Sequence, residues 1–384
     1  MRILLIATGL KVGGAEHQVA ALAGAFHALG HAVAIVSLSP GREIEVPGGV
    51  EVIELAMRKT PAGFVRALWR ARAFVRAWRP GVIHAHMVHA NLFARALTRI
   101  VCCPPVVCTA HSYHEGGRAR MLAYRLTDPW CALTTHVSEA GRAAMIATGA
   151  APATRIAVMP NGIDIGRFRF DASRRTATRE RLGIQAGTPL LLHVGRLVPA
   201  KAQRLLVDAL PDVFARLDGD GDRSLRHSQP ARLLIAGGGP LHDALAAQIR
   251  AHGLDDRVTL LGPRHDVPAL LDAADAFVLS SDIEGSPLVL AEALASGCPV
   301  VSTDAPGVRE IVGGLGLIVP RGDTEALANA IATTLTEGRG DATAQAARRD
   351  HIRNTCALDT VAQHWLACYV TLGATAGDAR LETT

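Results

Sequence analysis

Apolar and polar positions alternate along this chain in blocks. Short runs rich in Ile, Leu, Val and Ala at residues 3–8, 32–38, 82–85, 106–109 and 133–137 read as buried strands, and stretches between them, such as 16–30 and 64–79, read as helices. Strand and helix in alternation predict a parallel, doubly wound sheet. After a polar, Arg-rich connection at 171–187 the pattern restarts, with strands at 190–194, 232–235, 258–261, 276–279 and 300–302. That restart predicts a second Rossmann-like unit. Two such units facing each other would enclose a cleft at their strand C-terminal ends, where open α/β sheets bind ligands. The expected domains are 1–170, 171–355, and a C-terminal helix at 356–384 that packs back toward the first domain, its tail fraying from 374 onward.

A length of 384 residues fits two domains of this size better than one core. The apolar opening at 3–7 is too short for a signal peptide, and Lys11 and Glu16 stand where its cleavage site would lie. No uncharged apolar run of about 18 residues follows, so the expected location is the cytoplasm, at the inner membrane face if a membrane is touched. Seven cysteines, Cys102 and Cys103 adjacent, form no C-x-x-C pair, and buried thiols with no metal site are expected. The net charge of +5 is uneven: 17 Lys and Arg against 9 Asp and Glu through residue 165 (+8), then 23 against 26 (−3). The first part thus favours an anionic surface or partner, and since no nucleic-acid motif accompanies the charge, nucleic acid is not expected. The acidic segment at 218–222 opens like a calcium loop, but Gln229 stands at the twelfth position, so it reads as a solvated insertion.

Candidate chemistry concentrates in the second half. In SSDIEGSPLVLAEALASGCPVV, Glu284 falls on a loop just after an apolar strand and Glu292 inside the helix that follows. A helix starting near Ser286 would present N-terminal amides, including those of Leu288 and Val289, to a phosphate, while the carboxylates accept hydrogen bonds from sugar and ribose hydroxyls. Taken alone, the pair reads equally as two solvated glutamates on a capped helix. A second cluster, HVGRLVPAK, sets Arg196 and Lys201 after the first strand of the same domain. Two cations there suit a diphosphate and the charge that develops on it as it leaves.

Together these residues resemble the retaining glycosyltransferases of family 4. The resemblance covers most of the chain: GGAE at 13–16, PNGID ending at Asp164, GRL followed by Lys201, IAGGGP at 235–240, and EGSPLVLAEALASGCPVV from Glu284. It implies the GT-B architecture, two Rossmann-like domains across a cleft, and a nucleotide sugar as co-substrate with no cofactor and no metal. It also implies that Glu284 meets donor-sugar hydroxyls, Glu292 the ribose, and Arg196 and Lys201 the diphosphate. The segment Gly285, Ser286, Pro287, Leu288 and Val289 would complete the donor pocket with its backbone amides, Pro287 having no N–H to donate. Gly238 lies in its glycine turn, Arg264 in GPRHD edges the base, most often uracil, and Gly13 and Gly14 approach the phosphates from the other domain. The glycine pair is not a full G-x-G-x-x-G, which argues against a nicotinamide site.

His111, in VVCTAHSYHEGG, follows a strand, and the resemblance puts it near the reacting carbon, as a positioning group or a proton acceptor. His84, His86, His89 and His114 are its competitors. His84 and His86, with Asn91, end another strand in VIHAHMVHAN, where acceptor binding is expected. Retention in the family is explained by front-face attack in which the leaving diphosphate takes the acceptor's proton, and the sequence offers no closely spaced pair of catalytic acids. The segment 64–79 interleaves Arg66, Arg70, Arg72, Arg76 and Arg79 with Phe64, Trp69, Phe74 and Trp78. It reads either as a helix lying on anionic lipid or as a layer helix whose aromatics face the sheet. The family pattern is broken where Ser286 replaces Phe, Ala202 replaces Gly, and APGVRE replaces the more usual Gly-Gly before Glu310. The expected activity is hexosyl or N-acetylhexosaminyl transfer from a nucleotide sugar, UDP-linked, to a lipid-linked or growing saccharide. A nucleotide-sugar epimerase and a non-catalytic subunit of a transferase pair are the alternatives.

Overall fold

The structure, a computed structural model, describes residues 1–11, 13–113, 115–218 and 229–381. His114, residues 219–228 of the acidic insertion and the last three residues of the tail lie outside the described residues. The chain divides into two compact units, one of Met1–Asp164 with Cys356–Thr384 and one of Ile165–Thr355. The crossing precedes residue 170 because the Arg349 guanidinium donates to the carbonyls of Ile165 (2.7 Å) and Phe168 (3.0 Å), fastening that stretch to the second unit.

The first unit runs β1 (Arg2–Ala7), α1 (Gly14–Ala28), β2 (Ala32–Ser37), β3 (Glu51–Glu54), α2 (Pro61–Trp78), β4 (Val82–His86), α3 (Val88–Leu97), β5 (Val106–Ala110), α4 (Arg118–Thr127), β6 (Leu133–His136), α5 (Glu139–Ala147) and β7 (Ile156–Val158). Its strands pair in parallel in the order β3-β2-β1-β4-β5-β6-β7. Successive residues of β1 serve opposite faces. Leu4 and Ile6 pack with α2 and α3, whereas Ile3 and Leu5 pack with α1 and with the chain's last helix.

The second unit runs α6 (Ala172–Arg181), β8 (Leu190–Val194), α7 (Gln203–Asp218), β9 (Arg232–Ala236), α8 (His242–Ala251), β10 (Val258–Gly262), α9 (Val267–Ala273), β11 (Ala276–Leu279), α10 (Leu288–Ala295), β12 (Val300–Thr303), α11 (Val308–Val312), β13 (Leu317–Val319), α12 (Thr324–Glu337) and α13 (Ala342–Cys356). Its parallel order is β10-β9-β8-β11-β12-β13. Then α14 (Leu358–Leu381) returns to the first unit, burying Val361, Ala362, Trp365 and Tyr369 beside Phe26.

Three strands escape the hydrophobic pattern: β3, β7 and β13. Each is an edge strand of three or four residues, and in β3 (EVIE) two glutamates bracket the apolar pair. Residues 64–78 lie in α2, with Arg79 at its C-cap. Thr60 caps the helix by accepting from Gly63 N at 3.1 Å, and Phe64, Phe74 and Trp78 pack onto the core of the sheet. Trp69 turns outward and is 56% exposed.

Candidate functional site

Doubly wound sheets bind ligands where the strand order reverses, at the strand C-terminal ends. In the second unit that point lies between β8 and β11, and the loops that leave these two strands carry Arg196, Lys201 and Glu284. They meet in space. Lys201 Nζ lies 2.5 Å from Glu284 Oε1, which also accepts from Ser281 Oγ at 2.6 Å. The loops are pinned to each other by backbone: Asp282 N donates to Ala200 O at 3.0 Å, and Ser280 Oγ to Lys201 O at 3.0 Å. Arg196 is exposed, and its carbonyl accepts from Gln203 Nε2 at 2.8 Å. Gln203, wholly buried, also reaches His193 Nε2 (3.2 Å), whose other ring nitrogen bonds Val278 O at 3.0 Å. Burial pushes the His193 imidazole down to about 4, so it is a neutral strut under the Arg196 turn.

The glycine turn at 235–240 has a packing reason. At Gly237 a Cβ would fall 1.9 Å from Gly195 O, and at Gly239 2.4 Å from Leu197 O, so a side chain at either would push the Arg196 loop away. Gly238 supplies the carbonyl that accepts from Leu197 N at 2.9 Å. Arg264 holds Asp266 through two bonds of 2.8 and 2.6 Å, a geometry that fixes its turn.

Helix α10 starts at Leu288, with Pro287 at its N-cap and no side chain capping it. The Oγ of Ser286, just before it, is buried without a hydrogen-bond partner. Glu292 lies within this helix, and burial pushes its carboxyl up to about 7, with Arg167 opposing the shift.

Ala202 occupies the left-handed region, at φ 45° and ψ 38°. That conformation explains why glycine suits the position. Ala202→Gly is expected to raise stability by up to about 1 kcal/mol, strain relief outweighing the added freedom of the unfolded chain. A lowered unfolding midpoint would contradict this.

In the first unit the reversal lies between β1 and β4. Gly13 is the N-cap of α1, Gly14 its first residue, and His17 Nδ1 donates to Gly13 O at 2.8 Å. His111 follows β5 directly. Its Nε2 lies 3.0 Å from His86 Nδ1, at the end of β4, and its Nδ1 is buried without a partner. Burial, with His136 nearby, pushes the His111 imidazole down to about 3, and burial also lowers His86 and His84.

The expected acceptor contacts are corrected here. His84, His86 and Asn91 are buried in the first unit's interior. His84 spends both ring nitrogens, on Tyr369 OH and Thr109 Oγ1 at 2.6 Å each. Asn91 Nδ2 donates to Thr109 O and Tyr124 OH, both at 2.9 Å. These side chains have no surface for a sugar; they support the strand ends beneath His111. His89 is exposed, on α3.

One carboxylate of this region is not read from the sequence. Glu115 is 6% exposed, and its Oε1 accepts from both His111 N (3.0 Å) and Ser112 N (2.9 Å). Its carboxyl is raised by burial, against hydrogen bonds from Ser112, His111 and Tyr124. The only signal in the sequence is an acid four residues past a strand-end histidine.

Two doubly wound parallel sheets in one chain, the second with a Lys–Glu pair at its reversal point, are the makeup of a GT-B glycosyltransferase. A family profile described as Glycosyltransferase Family 4 matches residues 12–167, and one described as Glycosyl transferases group 1 matches residues 188–337. The chain belongs to this family of glycosyltransferases. It is 30% identical over 272 residues to the GDP-mannose-dependent alpha-(1-6)-phosphatidylinositol monomannoside mannosyltransferase of Mycobacterium tuberculosis, covering 67% of each chain. It is also 30% identical over 380 residues to the glycogen synthase of the same organism, covering 88% of this chain and 86% of the relative. Among solved structures, Anabaena HepE in complex with UDP superposes with a TM-score of 0.80 at 24% identity, over 97% of this chain and 100% of that one.

Proposed function

We propose that this glycosyltransferase moves a hexosyl or N-acetylhexosaminyl group, with retention, from a UDP-linked sugar to a lipid-linked or growing saccharide acceptor. The observation that carries the reading is the Lys201–Glu284 pair at the reversal point of the second sheet, beside the exposed Arg196. Arg196, Lys201 and the backbone N–H groups of Gly285, Ser286, Leu288 and Val289 meet the diphosphate charge in place of a metal, Glu284 takes the sugar hydroxyls and Glu292 the ribose. The acceptor oxygen bonds to the anomeric carbon as its bond to the diphosphate breaks, and the acceptor's proton passes to the departing diphosphate oxygen. The low basicity of buried His111 supports this route, since an imidazole held near 3 is a poor proton acceptor at neutral pH; His111 acts by position. The name of the mannosyltransferase relative favours a second donor, GDP-mannose.

The test is nucleotide release from UDP-, GDP- and ADP-sugars, with and without polyprenyl-diphosphate saccharides in detergent. Acceptor-stimulated release that Glu284→Ala abolishes supports transfer and identifies the donor. Sugar isomerisation without release would overturn the reading in favour of an epimerase.

A further inference from the structure

The first sheet reverses its strand order between β1 and β4, and His86 is the last residue of β4, in register with Ala7 of β1 on one side and Thr109 of β5 on the other. The next residue, Met87, has φ 74° and ψ 154°, a region almost reserved for glycine, and its N–H donates to Thr109 O at 3.0 Å. This strained turn leads the chain out of β4 straight into α3 and leaves His86 at the strand end. Backbone strain of this kind persists only where the surrounding structure holds it, and it gathers at functional sites.

Residues 84 and 86 of one strand face the same side of the sheet, and their rings lie 4.0 Å apart. His84 is itself pinned, by Tyr369 OH and Thr109 Oγ1, and its ring centre lies 4.3 Å from that of Trp365. Packed on so fixed a neighbour and 1% exposed, the His86 ring has little freedom to turn, and its Nδ1 reaches His111 Nε2 at 3.0 Å. Burial, with the neighbouring imidazoles, pushes both rings below their ordinary value, so both are neutral at pH 7. Each then carries one N–H and one lone pair, and the N–H of one meets the lone pair of the other.

A proton relay through this pair would need a further partner. His86 Nε2 is buried and has none among the described residues, and His84 spends both of its nitrogens on hydroxyls. What remains is a fixed hold, and it leaves His111 one uncommitted ring nitrogen, Nδ1, buried without a partner. The other imidazole nearby does not compete for it: His136 Nδ1 accepts from Ser138 N at 3.1 Å and its Nε2 donates to Ser112 O at 3.2 Å. We propose that His86 is a positioning residue for glycosyl transfer, its Nδ1 holding Nε2 of His111 so that His111 meets a substrate hydroxyl through Nδ1 alone. The inference rests on the reading that His111 acts by position.

Three variants separate this hold from mere packing. Asn at position 86 sets an amide atom at the same reach from the backbone as Nδ1, Gln sets one at the reach of Nε2, and Leu offers none. With the donor identified by nucleotide release, kcat is expected to fall about 10–100-fold in His86→Leu and His86→Gln but no more than about threefold in His86→Asn, with donor KM unchanged in all three. Packing alone predicts the reverse order, because Asn is the smallest of the three and leaves the largest void. In the wild type labelled with 15N-histidine, a nitrogen–nitrogen coupling across the hydrogen bond should join Nδ1 of His86 to Nε2 of His111, a readout that needs neither substrate nor variant. Equal losses of kcat in the Asn and Leu variants, or a wild type without that coupling, overturns the proposal and leaves the transferase reading standing. A wild type that shows the coupling but turns over no donor sinks the transferase reading instead, and with it any reaction for His86 to serve.

Discussion

Replacing Lys201 by methionine is expected to lower kcat by about 10²–10³-fold, the size of effect seen when one preorganised partner of a developing negative charge is removed. The same change should cost stability. Glu284 is 8% exposed in its side chain, and the Lys201 ammonium at 2.5 Å is its charged partner; without it the carboxylate keeps the Ser281 hydroxyl. Breaking a buried ion pair from one side costs about 3–5 kcal/mol, and since the Lys201 side chain is still 20% exposed, a loss of about 1–3 kcal/mol is the better expectation here. The two effects separate in the double variant Lys201→Met/Glu284→Gln. It leaves no unpaired charge, so its urea midpoint should return most of the way to the wild type. Turnover at saturating donor should stay low, because neither the cation nor the carboxylate is restored. A double variant that regains both would make the pair a structural clamp for the 200 and 284 loops and remove it from the chemistry.

That pair also marks how far the sequence could be read. The place of Arg196, Lys201 and Glu284 was legible because each follows an apolar run that reads as a strand, and parallel sheets gather such strand ends at one edge; their roles there were implied by the resemblance. The helix carrying Glu292 was legible for the same reason, and starts at Leu288, close to the expected Ser286. Burial of polar side chains was not legible. His84, His86 and Asn91 look from their place at a strand end like ligand contacts, yet the partners of His84 and Asn91, Thr109, Tyr124 and Tyr369, come from three other elements, Tyr369 from 285 positions away. Gln203 was missed likewise, since nothing local says that a glutamine opening α7 turns inward to hold the Arg196 carbonyl. Edge strands escaped because three residues such as IAV or LIV carry too little period to be distinguished from a loop.

Glu115 is the residue by which the structure adds most to the site, and its two neutral variants should behave in opposite ways. The backbone amides of His111 and Ser112 share its Oε1, so the carboxylate sets the path of the chain where it leaves β5 and thereby the position of the His111 ring. In Glu115→Ala both amides lose their acceptor, at a cost of about 1–3 kcal/mol, and the loop is freed. If His111 acts by position, kcat should fall about 10–100-fold while donor nucleotide affinity, which the proposed function assigns to the second unit, stays unchanged. In Glu115→Gln the amide oxygen can still accept both bonds, and kcat should be largely rescued. The pH dependence follows from the sign of the shift. The folded carboxyl sits above its unfolded value because burial disfavours the charge, so folding favours the protonated form, and this contribution fades as pH rises from the unfolded value through the folded one. The glutamine variant should therefore match or exceed the wild type in stability at pH 7 and lack the decline on the way there, whereas the alanine variant should be the weakest throughout. Equal losses of kcat in both variants would mean that the charge on Glu115, not its hold on the His111 and Ser112 amides, is what the reaction uses.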